Sequence, residues 1–546
     1  MLEMINRKML YAFDRCIILR KSDCEDVKDI LKKRLLTNKG IDIDFQEELE
    51  CESADFVTEN ILSSYLELCG EDNEYTFCEL MYSDFSVKQY TTYIDTIPTI
   101  DKESTKYLSY NPPYVNSSLR INDSVDISQY KKENFNEKYG IVTNIYKDLM
   151  SADISVVGCE FHHNGELNFS YGREKNFESA EKSAILELIE RMAMYGVEGD
   201  IVIASYENRG NRNFVDPETL LFYSDEFKNR GHRFEYNREY KWLKVEEFLK
   251  KEQAWIPLQF FDMAIQNEPK FVFESSNGVA LGSSIYEAKL FALFELVERD
   301  AFLNFWYKQA RLYRIDFSSV QDNVREKIVR FETENKKIYL FDMTFDISIP
   351  SILCLAVDFK GKVATYISTA SHVDYNIAIN AAVNECIVGH RIYETNPRIG
   401  QKMYYSDNDI VEMFDHVNHA ASREYIKNYE FLFDNEIKTV DELYGSEKFH
   451  VPSEIDNAKA LLEYLCVNKL TGLGPIFFAD LTTKQSYKYG FYVAKIIVSG
   501  MLPMTFGYEC QRINRERIQK AIEHSKYNQR CLRKGDEIDD RAHPFP

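Results

Sequence analysis

Glutamates interrupt an otherwise apolar helical pattern at residues 287–300, which read EAKLFALFELVERD. At about 100° per residue, Glu295 lies roughly 80° around the helix axis from Glu287, and Glu298 lies only roughly 20° around. The three carboxylates therefore share one stripe with Phe291 and Phe294. Because an unpaired charge on an apolar face costs several kcal/mol, the pattern predicts that a group of opposite charge joins them.

The same arrangement recurs elsewhere in the chain. The pattern A-x-x-x-A-x-x-E ends at Glu187, at Glu295 and at Glu385, and the first two copies continue as E-x-x-E-R. Two alanines one turn apart let a helix approach a sheet closely, and the glutamate one further turn along faces the same way. A lone E-x-x-E-R is usually a solvated ion-pair face. Three copies at matching offsets instead predict three helices that direct a glutamate at one region.

Gathered carboxylates repel one another unless a cation joins them, and Mg²⁺ prefers oxygen ligands and often bridges to phosphates. Arg191 and Arg299 stand beside the glutamates and suit phosphate oxygens. The loop SSNGVALGSS at residues 275–284 precedes a helix, so its amides and the helix N-terminus are suited to an anion. The Walker motif G-x-x-x-x-G-K-[ST] is absent from the sequence. We therefore predict a magnesium-nucleotide site of another type, with the candidate ligands Glu187, Glu190, Glu287, Glu295 and Glu298.

The composition excludes several classes of protein. The chain of 546 residues has a formal net charge of −22, which argues against a nucleic-acid partner. No uncharged apolar run approaches the roughly 18 residues that a membrane span needs, and the N-terminus is too charged for a signal peptide. The 11 cysteines are scattered without a C-x-x-C motif, which is typical of reduced thiols in the cytosol. We expect a cytoplasmic globular protein that binds neither nucleic acid nor a membrane.

Strand-like and helical patterns alternate along the chain, which predicts an α+β fold. The segment FVFESSNG at 271–278 has strand character, and the main predicted helices are 180–195, 285–305, 376–393 and 513–527. Residues 1–105 mix short helical and strand-like pieces, such as 27–36 and 60–69, and carry no chemical motif, so their role, with docking of a partner as one candidate, stays open. The prolines and asparagine of YLSYNPPYVNSS predict a linker at 106–137, followed by a second domain over 138–546.

Three segments resemble the YcaO family: YGREKNFESAEKSAILELIER (171–191), SSNGVALGSSIYEAKLFALFELVERDAF (275–302) and INAAVNECIVGHR (379–391). The resemblance extends over about residues 138–546, and the long second segment is highly specific. It implies a YcaO-type fold, in which helices pack on mixed β-sheets around an ATP and Mg²⁺ site. Members of the family activate a peptide-bond oxygen by phosphorylation. By position, the implied magnesium-ATP shell comprises Glu187, Glu190, Glu287, Glu295 and Glu298.

The resemblance adds further residues to this site. It implies that Arg299 and Arg391 bind phosphate and act in catalysis. Further candidates for binding the nucleotide are Arg173, Ser183 and Asn277. The third helix departs from the duplicated pattern, because Val388 stands where a second acid would be. The implied contribution of this helix is therefore limited to Glu385 and Arg391.

The sequence ends AHPFP, with Pro544 and Pro546 on either side of Phe545. Azoline-forming members of the family finish in an alternating proline tail that enters the active site. This chain most resembles the streptolysin-type D component of a thiazole/oxazole synthetase. Prolines favour an extended segment, and we expect the carboxylate of Pro546 to act as a catalytic base. Ala542 departs from a full P-x-P-x-P tail, because it stands where the first proline could be.

The resemblance implies ATP-dependent cyclodehydration of Cys, and of Ser or Thr, in a ribosomally made precursor peptide. The implied partners are that peptide and a leader-binding protein, which is expected to be separate because no zinc-tetracysteine unit is present. A flavin dehydrogenase and a second copy of the chain, in a homodimer, are further candidate partners. Two alternatives stay open: peptide thioamidation within the family, and a non-catalytic nucleotide-binding scaffold of a peptide-modifying complex.

Overall fold

The structure, a computed structural model, describes residues 9–11, 15–19, 27–39, 46–47, 77–81, 83, 87–90, 100, 102, 104–122, 125–149, 154–163, 166–265 and 267–546. These residues fall into two compact units. The first comprises the described residues of 1–100, 124–149 and 155–188, and the second comprises those of 101–123, 150–154 and 189–546. The predicted piece 60–69 lies outside the described residues. The predicted division into 1–105, 106–137 and 138–546 stays a prediction.

The first unit contains two antiparallel sheets. Its strands are β1 (Met9–Tyr11), β2 (Arg15–Leu19), β3 (Gln46–Glu47), β4 (Phe77–Met81), β5 (Val87–Tyr90), β6 (Val142–Asp148), β7 (Ser155–His163) and β8 (Glu166–Glu174). One sheet has the order β3-β1-β2-β4-β5, and the other has the order β6-β7-β8.

The second unit contains two larger sheets. Its strands are β9 (Ile201–Ser205), β10 (Glu239–Glu247), β11 (Glu252–Pro257), β12 (Val279–Gly282), β13 (Tyr313–Ile315), β14 (Lys336–Asp342), β15 (Ser351–Asp358), β16 (Thr365–Ser371), β17 (Ile437–Lys438), β18 (Ile476–Asp480) and β19 (Tyr492–Val498). One sheet has the order β11-β10-β18-β19-β12, and β9 also pairs with β10. The other has the order β16-β15-β14-β13-β17 and is mixed, because β13 and β17 are parallel.

Helices of both units complete the fold. They are α1 (Val27–Lys39), α2 (Thr105–Ser109), α3 (Ser128–Asn134), α4 (Phe177–Met192), α5 (Glu218–Leu221), α6 (Asp225–Asn229), α7 (Ile285–Lys308), α8 (Asp322–Phe331), α9 (Tyr375–Thr395), α10 (Met413–Ala420), α11 (Glu430–Phe433), α12 (Val440–Tyr444), α13 (Ala458–Asn468), α14 (Lys484–Lys488) and α15 (Arg515–Glu523). Among the described residues, no helix combines the length and the apolar character that crossing a membrane requires.

The predicted α+β class is confirmed, and each of the four main predicted helices is present with shifted ends, as α4, α7, α9 and α15. The predicted strand at 271–278 is wrong. Its residues form an irregular approach, and the strand begins only at Val279. Hydrophobic composition suggested a strand there, but Phe271 and Val272 are buried without joining a sheet ladder.

Helix α7 lies in the core of the second unit and packs against both of its sheets. It contacts β12 and β19 of one sheet and β15 and β16 of the other. Because protein covers it on more than one side, it is apolar around most of its circumference. The helix begins after Ser284, whose hydroxyl accepts a hydrogen bond from the Glu287 amide at 3.1 Å. This N-cap fixes the start of the helix and so the direction of its glutamates.

The repeated alanines lie where three helices approach their sheets, and all six are fully buried: Ala180, Ala184, Ala288, Ala292, Ala378 and Ala382. In two of the three helices a strand serine also bonds the helix backbone. Ser170 donates its hydroxyl to the carbonyl of Ala184 at 2.7 Å, and Ser368 donates to the carbonyl of Ala382 at 2.6 Å. The prediction that the alanines permit close packing on a sheet is confirmed.

A buried ion pair anchors α7 to α15. The guanidinium of Arg517 donates to Asp300 at 3.0 Å and to Asp346 at 2.6 Å, and Asp300 also accepts the Leu502 amide at 2.9 Å. Asp300 is 1% exposed and Arg517 is 2% exposed. Because each charge is desolvated, neither tolerates loss of its partner.

We expect Arg517→Leu to lower the free energy of unfolding by about 3–5 kcal/mol, because it leaves Asp300 buried and unpaired. Chemical denaturation followed by circular dichroism measures this change. Arg515→Leu is the matched control, because Arg515 is exposed on the same helix. The control should change stability by less than about 0.5 kcal/mol. Equal effects of the two substitutions would contradict the anchoring role of the pair.

Candidate active site

Glu295, Glu298 and Arg299 form an acid–arginine cluster on α7. The guanidinium of Arg299 lies 3.3 Å from a carboxylate oxygen of Glu298 and 3.8 Å from one of Glu295. The Glu295 side chain is 25% exposed, and that of Glu298 is 13% exposed. One arginine therefore stands against two largely desolvated carboxylates.

The surroundings disfavour ionisation of both carboxylates. Burial raises the pKa of Glu295 to about 8, Arg299 opposes this rise, and the charges of Glu190 and Glu298 add to it. Burial likewise raises the pKa of Glu298 to about 7, against the opposing effects of Arg299 and of the Thr369 hydroxyl, which donates at 2.7 Å. The charge of Glu385 on α9 raises it further. The electrostatics therefore bring Glu190, Glu295, Glu298 and Glu385 into one interacting set.

Two further predicted ligands already bind groups of the protein. Glu190 accepts the amide of Leu281 at 2.7 Å, so its carboxylate holds strand β12. Glu287 is 1% exposed, pairs with Arg120 at 2.8 Å and accepts the Ile121 amide at 3.3 Å. Glu287 would have to give up this ion pair to bind a metal. Sequence reasoning missed Arg120, which carried no local signal.

Three predicted residues lie in the first unit. The carboxylate of Glu187 on α4 accepts the Tyr171 amide at 2.8 Å. Arg173 lies on β8 opposite Val156 of β7 and is half-buried. Ser183 on α4 donates its hydroxyl to Glu174 at 3.3 Å. Their roles toward a nucleotide stay predictions.

The remaining predicted residues belong to the second unit. Asn277 is 7% exposed, and its side-chain oxygen is buried without a hydrogen-bond partner, which leaves an acceptor available to a ligand. Glu385 and Arg391 both lie on α9. The guanidinium carbon of Arg391 is 5.7 Å from the centroid of the Phe331 ring.

Lys495 is a buried charge beside the acid–arginine cluster that sequence reasoning missed. It is 2% exposed, and its ammonium donates to the Ser275 carbonyl at 3.1 Å. Burial lowers the pKa of Lys495, whereas the charges of Glu274 and Glu295 raise it. The available signal was one lysine inside the apolar strand YVAKIIV.

The C-terminal segment, residues 535–546, runs back along α7 toward the acid–arginine cluster. Successive contacts join Gly535 to Lys308, Asp539 to Tyr307, Arg541 to Trp306 and Phe545 to Phe302. Phe545 is 4% exposed, and the guanidinium carbon of Arg299 lies 4.1 Å from the centroid of its ring. The segment therefore reaches the arginine that faces Glu295 and Glu298.

The donor chemistry of this region fits Mg²⁺. Among the residues that the structure describes, no three His, Cys, Asp or Glu side chains are already gathered closely enough to hold a metal. The carboxylates are nevertheless the oxygen ligands that Mg²⁺ prefers, and their raised pKa values reflect burial and mutual repulsion. A cation among them would relieve that repulsion and displace their protons.

The family is shown by sequence comparison. The family model described as YcaO cyclodehydratase, ATP- and Mg²⁺-binding, matches residues 171–502. The chain therefore belongs to the YcaO family, and its YcaO domain binds ATP and Mg²⁺, as predicted. A curated relative, an uncharacterized protein of Methanothermobacter thermautotrophicus, is 22% identical over 368 residues, which cover 66% of this chain and 87% of the relative.

Solved structures share the fold. A heterocyclase in complex with substrate and cofactor has a TM-score of 0.67 at 16% identity, covering 93% of this chain and 75% of that one. YcaO from Methanopyrus kandleri, bound with AMPPCP and Mg²⁺, has a TM-score of 0.51 at 17% identity, with coverages of 66% and 86%. The E. coli microcin synthetase McbBCD complex with pro-MccB17 bound has a TM-score of 0.50 at 15% identity, with coverages of 74% and 96%. The predicted YcaO-type fold is confirmed.

The raised pKa values predict that the metal-free protein loses stability as the pH rises. The folded protein keeps protons on Glu295 and Glu298 that the unfolded chain releases above their ordinary pKa of 4.5. Their contribution is therefore complete below pH 4.5 and is lost as the pH rises through about 7 and about 8. Thermal unfolding in EDTA between pH 5.5 and 8.5 measures this loss.

The double substitution Glu295→Gln, Glu298→Gln should flatten this pH dependence and keep or raise the melting temperature at pH 8.5. Glu326→Gln is the control, because Glu326 lies exposed on α8 and makes only a surface ion pair. The assignment of the pH effect to the acid–arginine cluster is wrong if the double variant keeps the wild-type slope.

Proposed function

We propose that this protein is an ATP-dependent cyclodehydratase. It converts Cys, and Ser or Thr, of a ribosomally synthesised precursor peptide into thiazoline or oxazoline. The observation that carries the proposal is the contact of Arg299 in the acid–arginine cluster with Phe545, the residue that precedes Pro546. The fold shared with a heterocyclase bound to substrate and cofactor supports the same class of activity.

The proposed magnesium ligands are Glu187, Glu190, Glu287, Glu295 and Glu298. Glu295 and Glu298 have the strongest support, because their carboxylates are buried and face a single arginine. Nucleotide binding is proposed to extend to Arg173, Ser183, Asn277, Glu385 and Arg391. The unsatisfied oxygen of Asn277 supports its inclusion.

Arg299 and Arg391 are proposed to bind phosphate oxygens, since a guanidinium offers paired donors to such groups. When bound, ATP with Mg²⁺ supplies the phosphoryl group that makes the amide-derived oxygen a leaving group. The side-chain thiol or hydroxyl of the peptide adds to the preceding carbonyl carbon, and Pro546 is proposed to take the proton that this addition releases. The amide-derived oxygen, once phosphorylated, leaves as phosphate, and the amide nitrogen loses its proton as the C=N bond of the ring forms. Because the Arg299 side chain is only 20% exposed, each electrostatic contact around it is stronger than it would be in water.

The proposed partners are the precursor peptide and a separate leader-binding protein. The McbBCD assembly, in which a protein of the same fold works in a complex with pro-MccB17, supports this arrangement. A flavin dehydrogenase and a second copy of the chain are further proposed partners, and the proposed location is the cytoplasm.

The function is tested by co-expression with a Cys-rich peptide encoded beside the gene, followed by mass spectrometry of the peptide. We expect the loss of one water per ring, and we expect Glu298→Gln to lower the yield by roughly 100-fold or more. Glu326→Gln should match the wild type. A mass gain from exchange of oxygen for sulfur would instead support thioamidation. An unmodified peptide together with nucleotide binding would support the scaffold.

Arg391→Lys should lower ATP turnover by at least about tenfold, because lysine keeps the charge but loses the paired donors of the guanidinium. Steady-state hydrolysis over a range of ATP concentrations measures the change. Arg330→Lys on the exposed face of α8 is the control. If Arg391→Lys matches the wild type at every ATP concentration, Arg391 has no role at the phosphates.

A further inference from the structure

Two histidines stack where the C-terminal segment is buried. His543 of the segment is 3% exposed, and His416 on α10 is 2% exposed. Their ring centroids lie 4.3 Å apart with an interplanar angle of 23°. Phe506 packs against both rings, and its ring centroid lies 5.6 Å from that of His416 and 5.7 Å from that of His543.

Backbone partners fix the tautomer of each ring. The Gly507 amide donates to Nε2 of His416 at 2.8 Å, so Nδ1 of His416 carries the proton and donates to the His543 carbonyl at 2.5 Å. The Phe545 amide donates to Nδ1 of His543 at 3.3 Å, so Nε2 of His543 donates to the Thr505 carbonyl at 2.8 Å. Each ring thus accepts one backbone N–H and donates to one backbone carbonyl.

This pattern requires both histidines to be neutral, because a protonated ring could not accept an N–H. Burial lowers the pKa of His416 to about 4, with Asp415 opposing this effect and His419 adding to it. Burial, together with the neighbouring His416 ring and the charge of Arg299, lowers the pKa of His543 well below its ordinary value, and the hydrogen bond to the Thr505 carbonyl opposes this effect. The hydrogen bonds therefore persist throughout the neutral pH range.

The Gly507 amide, which donates to His416, is held in one orientation by the surrounding backbone. Gly507 has a φ of 90°, which favours glycine, and a Cβ there would lie 2.6 Å from the Val411 carbonyl. The loop around residue 507 thus presents its amide in one direction. That amide selects the tautomer of His416 that donates to the C-terminal segment.

We propose that His416 is a positioning residue that holds the C-terminal segment against α7 through its Nδ1–H bond to His543. This inference rests on the proposed function, because the segment must be held in place for Pro546 to act. The bond lies two residues before Phe545, so it fixes the approach of that ring to Arg299. A purely space-filling histidine would not depend on which ring nitrogen carries the proton.

Two substitutions separate positioning from packing. In His416→Asn the amide nitrogen can occupy the place of Nδ1 and keep the donor to His543. In His416→Gln the amide reaches the place of Nε2, and the donor to His543 is lost. We expect His416→Gln to speed hydrogen–deuterium exchange in residues 539–546 by about tenfold, the effect of losing one buried hydrogen bond, and His416→Asn to stay within about threefold of the wild type.

The yield of rings should fall more in His416→Gln than in His416→Asn. Binding of AMPPCP with Mg²⁺ should be unchanged in both variants. His524→Gln, at an exposed histidine after α15, is the control for exchange. Equal exchange in the Asn and Gln variants, or wild-type exchange in His416→Gln, would overturn the proposal. Exchange decides the role of His416 even if the wild type forms no rings, a result that would reject the proposed function alone.

Discussion

The site depends on carboxylates that are held on a helix with almost no free face. Helix α7 packs against two sheets and is tied to α15 through Asp300 and Arg517, so it cannot rotate to return Glu295 and Glu298 to water. Their desolvation is offset only in part, by Arg299 and Lys495 and by hydrogen bonds from the Thr369 hydroxyl and the Ser371 backbone. The fold thus holds two carboxylates in an environment that disfavours their ionisation, and a bound cation would relieve this cost. The packing of α7 stabilises the fold enough to offset the cost.

Glutamates that look equivalent in the sequence have different partners in the structure. Glu287 holds Arg120 and the backbone at Ile121, and Glu190 holds the amide of Leu281. These two carboxylates organise the segments around α7. Glu295 and Glu298 instead face one arginine, and their raised pKa values mark them as the acids on which a divalent cation would act most strongly.

Features with a local cause could be predicted from the sequence. The start of α7 at Ile285 was predicted from the apolar helical pattern that follows the loop 275–284, and the close packing of three helices was predicted because alanines recur at one-turn spacing. Contacts between distant residues could not be predicted. Arg120 and Glu287 are 167 residues apart, and Lys495 meets Ser275 across 220 residues. The segment 271–278 was predicted as a strand from its apolar residues. Such residues are also buried in irregular backbone, and composition without a strand period does not distinguish the two cases.

The route of the C-terminal segment along α7 has a consequence for the order of folding. Trp306 and Arg541 are in contact although 235 residues separate them in the sequence. Closing so long a loop costs conformational entropy, which the chain loses before the contact can stabilise the fold. Helix α7 and its sheets offer the surface on which the segment docks, so their assembly has to precede docking. We therefore expect the contact of Phe545 with Arg299 to form late in folding, after α7 and its sheets have assembled.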